Sequence, residues 1–231
     1  RQLKIDFAAG AYAGADPEAV QGKASVIDGL TGIAKDNVVN ARLVAAADAF
    51  LKGDKAALDP MWYGPALAAW LDGKGVDGAK DLFGRALASQ DPAIRPTLLG
   101  TIGSSGDKVI GKWVLDEAKD KRLRASERLN LVRGVISSAG TRDMGYEWMK
   151  GNLDQLLGGS GGIFFAARLP QMLSGFCSVE QADALANDLR PRLAGKSSGL
   201  ELERAIERVR SCGRLKDARK EEVSKDMAKL H

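Results

Sequence analysis

Ser178-Val179-Glu180-Gln181-Ala182-Asp183-Ala184-Leu185-Ala186-Asn187-Asp188-Leu189-Arg190-Pro191-Arg192-Leu193 carries the reading of the fold. Val179, Ala182, Ala186, Leu189 and Leu193 recur three or four residues apart, which puts them on one face of an α-helix. Ser178 stands where an N-cap belongs, and Gln181 three residues on completes a capping box. Pro191 interrupts the pattern near its end and predicts a kink at Arg190.

The same signals recur on both sides. Leu202, Ile206 and Val209 form one apolar stripe, and Leu129, Val132 and Ile136 another. Three Asp-Pro steps, Asp16-Pro17, Asp59-Pro60 and Asp91-Pro92, read as helix starts. The Asp carboxylate accepts from amides the first turn leaves unpaired, and Pro there has no amide to satisfy. β-branched alternation is rare, so strands are not expected. The pattern predicts helices over 2–14, 17–34, 38–51, 60–72, 76–89, 92–103, 107–119, 125–138, 142–157, 162–173, 179–193, 198–211 and 215–229.

Short helices joined by short Gly- and Ser-containing turns imply an all-α protein. The expected architecture is a HEAT- or armadillo-like stack of antiparallel helix pairs, forming a curved or bowl-shaped superhelix. Gly53-Asp54-Lys55 and Gly106-Asp107-Lys108 echo each other, but no strict period follows. The chain reads as a single domain over 1–231, with a possible subdomain break at Gly158-Gly159-Ser160-Gly161-Gly162.

The 231 residues include 34 basic and 30 acidic side chains, a net charge of +4. The signs alternate, as in Arg219-Lys220-Glu221-Glu222, which describes solvated helix faces. Basic and aromatic residues do not interleave along a face, so nucleic acid is not an expected partner. No apolar run reaches the roughly 18 residues a membrane span requires. The start, Arg1-Gln2-Leu3-Lys4, lacks a signal-peptide pattern, and the chain reads as a piece excised from a longer protein.

The only histidine is His231. A His-based triad or an H-E-x-x-H zinc site therefore cannot be assembled from this chain. No Walker loop or strand-borne G-x-G-x-x-G is present, and Glu221-Glu222 sits in a charged helix with nothing to raise a carboxyl pKa. No catalytic residue and no metal ligand is expected. Cys177 precedes one capped helix and Cys212 ends another. Antiparallel packing of the two helices would bring the sulfurs together as a disulfide; two buried free thiols are the alternative. A bridge would imply an oxidising compartment, periplasmic or extracellular, and its absence a cytoplasmic one.

The most informative motif is Thr141-Arg142-Asp143-Met144-Gly145-Tyr146-Glu147-Trp148-Met149-Lys150-Gly151-Asn152-Leu153-Asp154-Gln155-Leu156-Leu157. Read by itself it is a capped amphipathic helix. It also resembles the C-terminal helical domain of the zinc aminopeptidases related to aminopeptidase N and puromycin-sensitive aminopeptidase, bacterial type. Their pattern is an Arg in a loop, an aromatic, Trp, then Asn and a Leu pair. Further matches are Asp91-Pro92-Ala93-Ile94-Arg95, Ile102-Gly103-Ser104-Ser105, Trp113-Val114-Leu115-Asp116, Gly175-Phe176-Cys177-Ser178 and Leu202-Glu203-Arg204-Ala205-Ile206-Glu207. The resemblance covers about 50–230 and is weaker over 1–50. It departs at Leu153, where many relatives carry a second Trp, and at Cys212, where an aromatic is common.

The resemblance implies an accessory domain of a zinc aminopeptidase. It would face the catalytic domain of the same polypeptide, close off the active-site cavity and help admit peptide substrates. The zinc would lie in the missing catalytic domain, and the fragment alone would be inactive. Arg142 matches the position from which some relatives hold a peptide's terminal carboxylate, while a second basic position of theirs falls near Ser104. The competing reading from another class is a free-standing helical-repeat scaffold that binds a protein in its groove.

Overall fold

A computed structural model describes residues 5–158, 162–193 and 198–229. Among these, the chain forms twelve α-helices and no strand. They are α1 (Pro17–Asp28), α2 (Asn37–Leu51), α3 (Tyr63–Asp72), α4 (Gly75–Ala88), α5 (Ile94–Gly103), α6 (Lys108–Glu117), α7 (Ala125–Ser137), α8 (Arg142–Gly151), α9 (Leu153–Gly158), α10 (Gly162–Met172), α11 (Val179–Leu193) and α12 (Gly199–Met227). The all-α expectation is met. The chain divides into two compact units, Arg1–Trp113 and Val114–His231. Three residues of the glycine-rich run, 159–161, lie outside the described residues, as does His231.

The Asp-Pro signals work as expected. Asp16 accepts from the amides of Glu18 and Ala19. Asp59 accepts from Met61 N–H at the start of a 3-10 turn, Pro60–Trp62. Asp91 accepts from Ala93 and Ile94. The Gly-Asp-Lys echo is also real: Asp54 and Asp107 each accept from the amide two residues on, 3.1 and 2.8 Å away.

In the first unit, α2 packs on α3, α3 on α5, and α4 on α5. Leu43, Leu67, Leu71, Leu82, Leu98 and Ile102 are buried between them. Of the helix expected over 2–14, the described part, residues 5–14, is not helical. Residues 8–14 are turns, because Gly10 and Gly14 take φ of 76° and 75°, which breaks the helical hydrogen-bond ladder. Tertiary partners then hold the segment. Gly10 N–H donates to the Asp59 carboxylate at 2.8 Å, and Asp59 N–H donates to Phe7 O at 2.7 Å. Phe7 meets the buried Trp62 ring edge-on at 5.5 Å. These contacts outweigh the weak helix propensity of Ala8, Ala9, Ala11 and Ala13.

In the second unit, α7 packs on α8 and α11 on α12. Arg190 pairs with Glu203, Asp183 with Arg210, and Cys177 with Cys212. As one number falls the other rises, so α11 and α12 run antiparallel. The stripe read from the sequence is the packed face: Ala182, Ala186, Leu189 and Leu193 are buried and Val179 is half-buried. Helix α11 continues through Pro191 to Leu193.

Two helix boundaries differ from expectation. The span 142–157 divides at Asn152, whose side-chain amide donates to Trp148 O at 2.7 Å while its own N–H also reaches Trp148 O. The spans 198–211 and 215–229 form one helix, α12, through Gly213. Gly213 is buried against α11: a Cβ there would fall 2.7 Å from Ser178 C and Val179 N. The glycine marks a close approach of two backbones, not a helix end.

Candidate functional site

Helix α7 ends at Ser137, and the chain turns into α8 through Thr141. The Thr141 side chain is buried, and its hydroxyl donates to Val135 O at 2.7 Å. That bond ties the end of α7 to the start of α8. Gly145 lets the two helices close, since a Cβ would lie 2.9 Å from Ile136 Cγ1. Arg142, the first residue of α8, is thereby held at the mouth of the hairpin.

The Arg142 side chain is half-buried. Its Nη2 donates to Ser137 O at 3.3 Å, and its guanidinium lies 5.7 Å from the centre of the Phe176 ring. It also fills the space left by Gly175: a Cβ there would fall 2.6 Å from Nη2. Its Nε is buried without a hydrogen-bond partner. Among the described residues Arg142 forms no ion pair with a carboxylate, Asp143 included. A cation of fixed charge is thus packed in place by an aromatic ring and a glycine, with bidentate capacity left unused.

The platform beneath Arg142 is cross-braced. Phe176 meets Tyr146 edge-on at 5.6 Å. The Tyr146 hydroxyl donates to Asp188 on α11 at 2.9 Å, and Lys150 lies 3.6 Å from the same carboxylate. Burial, with the Asp188 hydrogen bond second, pushes the Tyr146 phenol well above its ordinary value, so it remains a neutral donor. Next along the chain, Cys177 is joined to Cys212 as a disulfide, with Cα atoms 5.0 Å apart. The capping of α11 completes the brace. Gln181 N–H donates to Ser178 Oγ, while Cys177 N–H donates to Gln181 Oε1 at 3.1 Å. The capping box read from Ser178 and Gln181 is present but displaced by one residue, because the return bond reaches Cys177.

The opposite side of α8 faces a cavity of about 590 Å³ within the second unit. Trp148 and Asn152 line it, and Arg142 does not. Lys119, Lys121, Arg128, Arg133 and Arg168 also line it, with Phe164 and Phe165. Sequence reasoning missed this gathering of cations and rings. The residues come from several elements far apart in sequence, so no linear stripe announces them.

Among the described residues, no three His, Cys, Asp or Glu side chains converge to hold a metal ion. No described helix is long and apolar enough to cross a membrane.

Comparison with curated proteins finds no match. The family model for the ERAP1-like C-terminal domain, by contrast, matches residues 6–211, including the part of the chain where the motif resemblance is weaker. With an all-helical fold among the described residues and a match over most of its length, the chain belongs to the ERAP1-like C-terminal domains of the M1 aminopeptidases.

Proposed function

We propose that this chain covers the active-site cavity of a zinc aminopeptidase and helps admit and position peptides for removal of their N-terminal residues. The family match over residues 6–211 carries this reading. The histidine inventory agrees with it: zinc and the groups that activate water would come from a catalytic domain of the same polypeptide. The chain's own part is to exclude water and limit access, which needs shape more than chemistry. The disulfide supports a periplasmic or extracellular setting for the enzyme.

Within this reading, Arg142 holds the terminal carboxylate of longer peptides. Its support is a half-buried guanidinium with no carboxylate partner among the described residues, immobilised by Phe176 and Gly175. Fixing the cation in advance lowers the entropy lost when a carboxylate docks. In the full-length enzyme, Arg142→Ala should lower kcat/KM for peptides of eight or more residues by about tenfold, the scale of one charge-assisted hydrogen bond. It should leave an amino-acid p-nitroanilide unaffected. Equal losses on both substrates, with an unchanged melting temperature, would overturn the role.

A further inference from the structure

We propose that the cavity between α7, α8, α9 and α10 binds an amphipathic organic anion: one anionic head on an aryl or alkyl body. The cavity lies wholly within the second unit, and the inference does not rest on the aminopeptidase reading.

Charge is the first argument. Lys119, Lys121, Arg128, Arg133 and Arg168 line the cavity, and no Asp or Glu does. Among the described residues none of these five forms an ion pair with a carboxylate. Elsewhere in the same unit cations are neutralised: Arg190 by Glu203 at 2.6 Å, Arg204 by Glu201 at 2.8 Å, and Arg210 by Asp183 at 2.8 Å. Like charges gathered around a recess without counter-charges focus a positive potential in it.

Arg128 makes the argument more specific. Its Nε is buried and has no hydrogen-bond partner. Its Nη2 reaches only the Asp120 carbonyl, at 3.5 Å. Arg128 lines the cavity and has no carboxylate partner among the described residues, so its guanidinium is open to an anion there. A guanidinium edge donates two parallel hydrogen bonds to a pair of oxygens of a carboxylate, sulfonate or phosphate.

The apolar lining shows that the ligand is more than a bare anion. Phe164 is 72 % exposed although it is a large aromatic. Phe165, Leu129 and Leu156 continue the surface, and Trp148 stands below Lys119, whose Nζ lies 5.8 Å from the ring centre. An inorganic anion would answer the charges and leave these rings wet. A neutral hydrocarbon would cover the rings and leave the charges unanswered. About 590 Å³ is the scale of sites that take a small organic molecule.

The test uses 8-anilinonaphthalene-1-sulfonate, an aryl anion whose fluorescence rises on leaving water. Titrated at low salt, it should saturate one site on the chain. Arg128→Gln with Arg133→Gln should weaken it at least tenfold. Lys121→Gln with Arg133→Gln, at two exposed positions, should weaken it severalfold with far-UV circular dichroism and melting temperature unchanged; this pair keeps the test decisive if the first variant misfolds. Lys216→Gln on α12 should change nothing. N-phenyl-1-naphthylamine, the same ring system without the sulfonate, should bind at least tenfold more weakly. Sodium sulfate should displace the dye no better than sodium chloride of equal ionic strength. The proposal is overturned by equal binding of the neutral ring system, by no effect of the folded Lys121/Arg133 variant, or by the same effect from Lys216→Gln. It is equally overturned if sulfate competes beyond its ionic strength, which would identify a site for a bare anion.

Discussion

Gly213→Ala measures how tightly α11 and α12 are held together. A Cβ at position 213 would sit 2.7 Å from three backbone atoms, Ser178 Cα, Ser178 C and Val179 N. Comfortable contact between such atoms begins near 3.5 Å, so the start of α11 must withdraw by roughly 0.8 Å. It is poorly placed to do so. Cys177, adjacent to Ser178, is bonded to Cys212, adjacent to Gly213. Two opposing effects must be weighed. Alanine in a helix interior gains about 0.8–1 kcal/mol over glycine. Overpacking costs about 1–3 kcal/mol, and it lies at the upper end when the obstructing atoms are backbone with no rotamer to change. The clash wins, for a net loss of about 2 kcal/mol. For a chain of this length that corresponds to a melting temperature lower by roughly 4–8 °C. Gly84→Ala is the matched control. Gly84 is an exposed position inside α4 with nothing within 4 Å of a built Cβ, so only the propensity gain applies and stability should rise by about 1 kcal/mol. Urea unfolding of both variants, followed by far-UV circular dichroism, measures the contrast. In a background carrying Cys177→Ser and Cys212→Ser, the Gly213→Ala penalty should shrink, because Ser178 is then free to recede. A Gly213→Ala protein as stable as the parent would refute the close-approach account of this glycine.

Two further predictions concern the same helix pair. Removing the disulfide with Cys177→Ser and Cys212→Ser should cost about 4 kcal/mol on the chain-entropy model for a bridge spanning 35 residues. Thiol counting on denatured, unreduced protein checks the premise, and two reactive thiols would dispose of it. The Arg190 hydrogen bond holds the Glu203 carboxyl below its ordinary value of 4.5. A depressed carboxyl contributes stability in full above that value and loses it as pH falls through the folded one. Glu203→Gln should therefore destabilise the chain at pH 7 by a small amount, since both partners are half-exposed. The difference from the parent should shrink as pH falls below 4.5, and a constant gap in melting temperature from pH 7 to pH 3 would contradict it.

The parts legible in the sequence are those governed by neighbouring residues. Asp16, Asp59 and Asp91 each cap a turn because a carboxylate two or three residues from an unpaired amide can reach it with no help from the rest of the chain. Ala182, Ala186, Leu189 and Leu193 are buried because a 3.6-residue period places them on one face whatever they pack against. Errors arose where distant residues compete with local preference. Residues 8–14 look helical until Asp59 takes the Gly10 amide. Gly213 looks like a helix end until the backbone of Ser178 occupies the place of its missing side chain.

The candidate sites divide along the same line. Arg142 was visible only through the family resemblance, which matches it to a position just before the motif helix. Its partners, Ser137 O, Gly175 and Phe176, were not visible. Nor was the cavity, whose cations and rings looked scattered along the chain. By itself the sequence determined that this protein is helical, that its helices have buried faces, and that an H-E-x-x-H motif, which needs two histidines, is not encoded in these residues. Only the tertiary structure decided which glycines separate backbones, which sulfurs meet and which unpaired cations share a recess with exposed rings. Helical period and capping act over about four residues, whereas packing and electrostatics act between residues that meet only after the chain has folded.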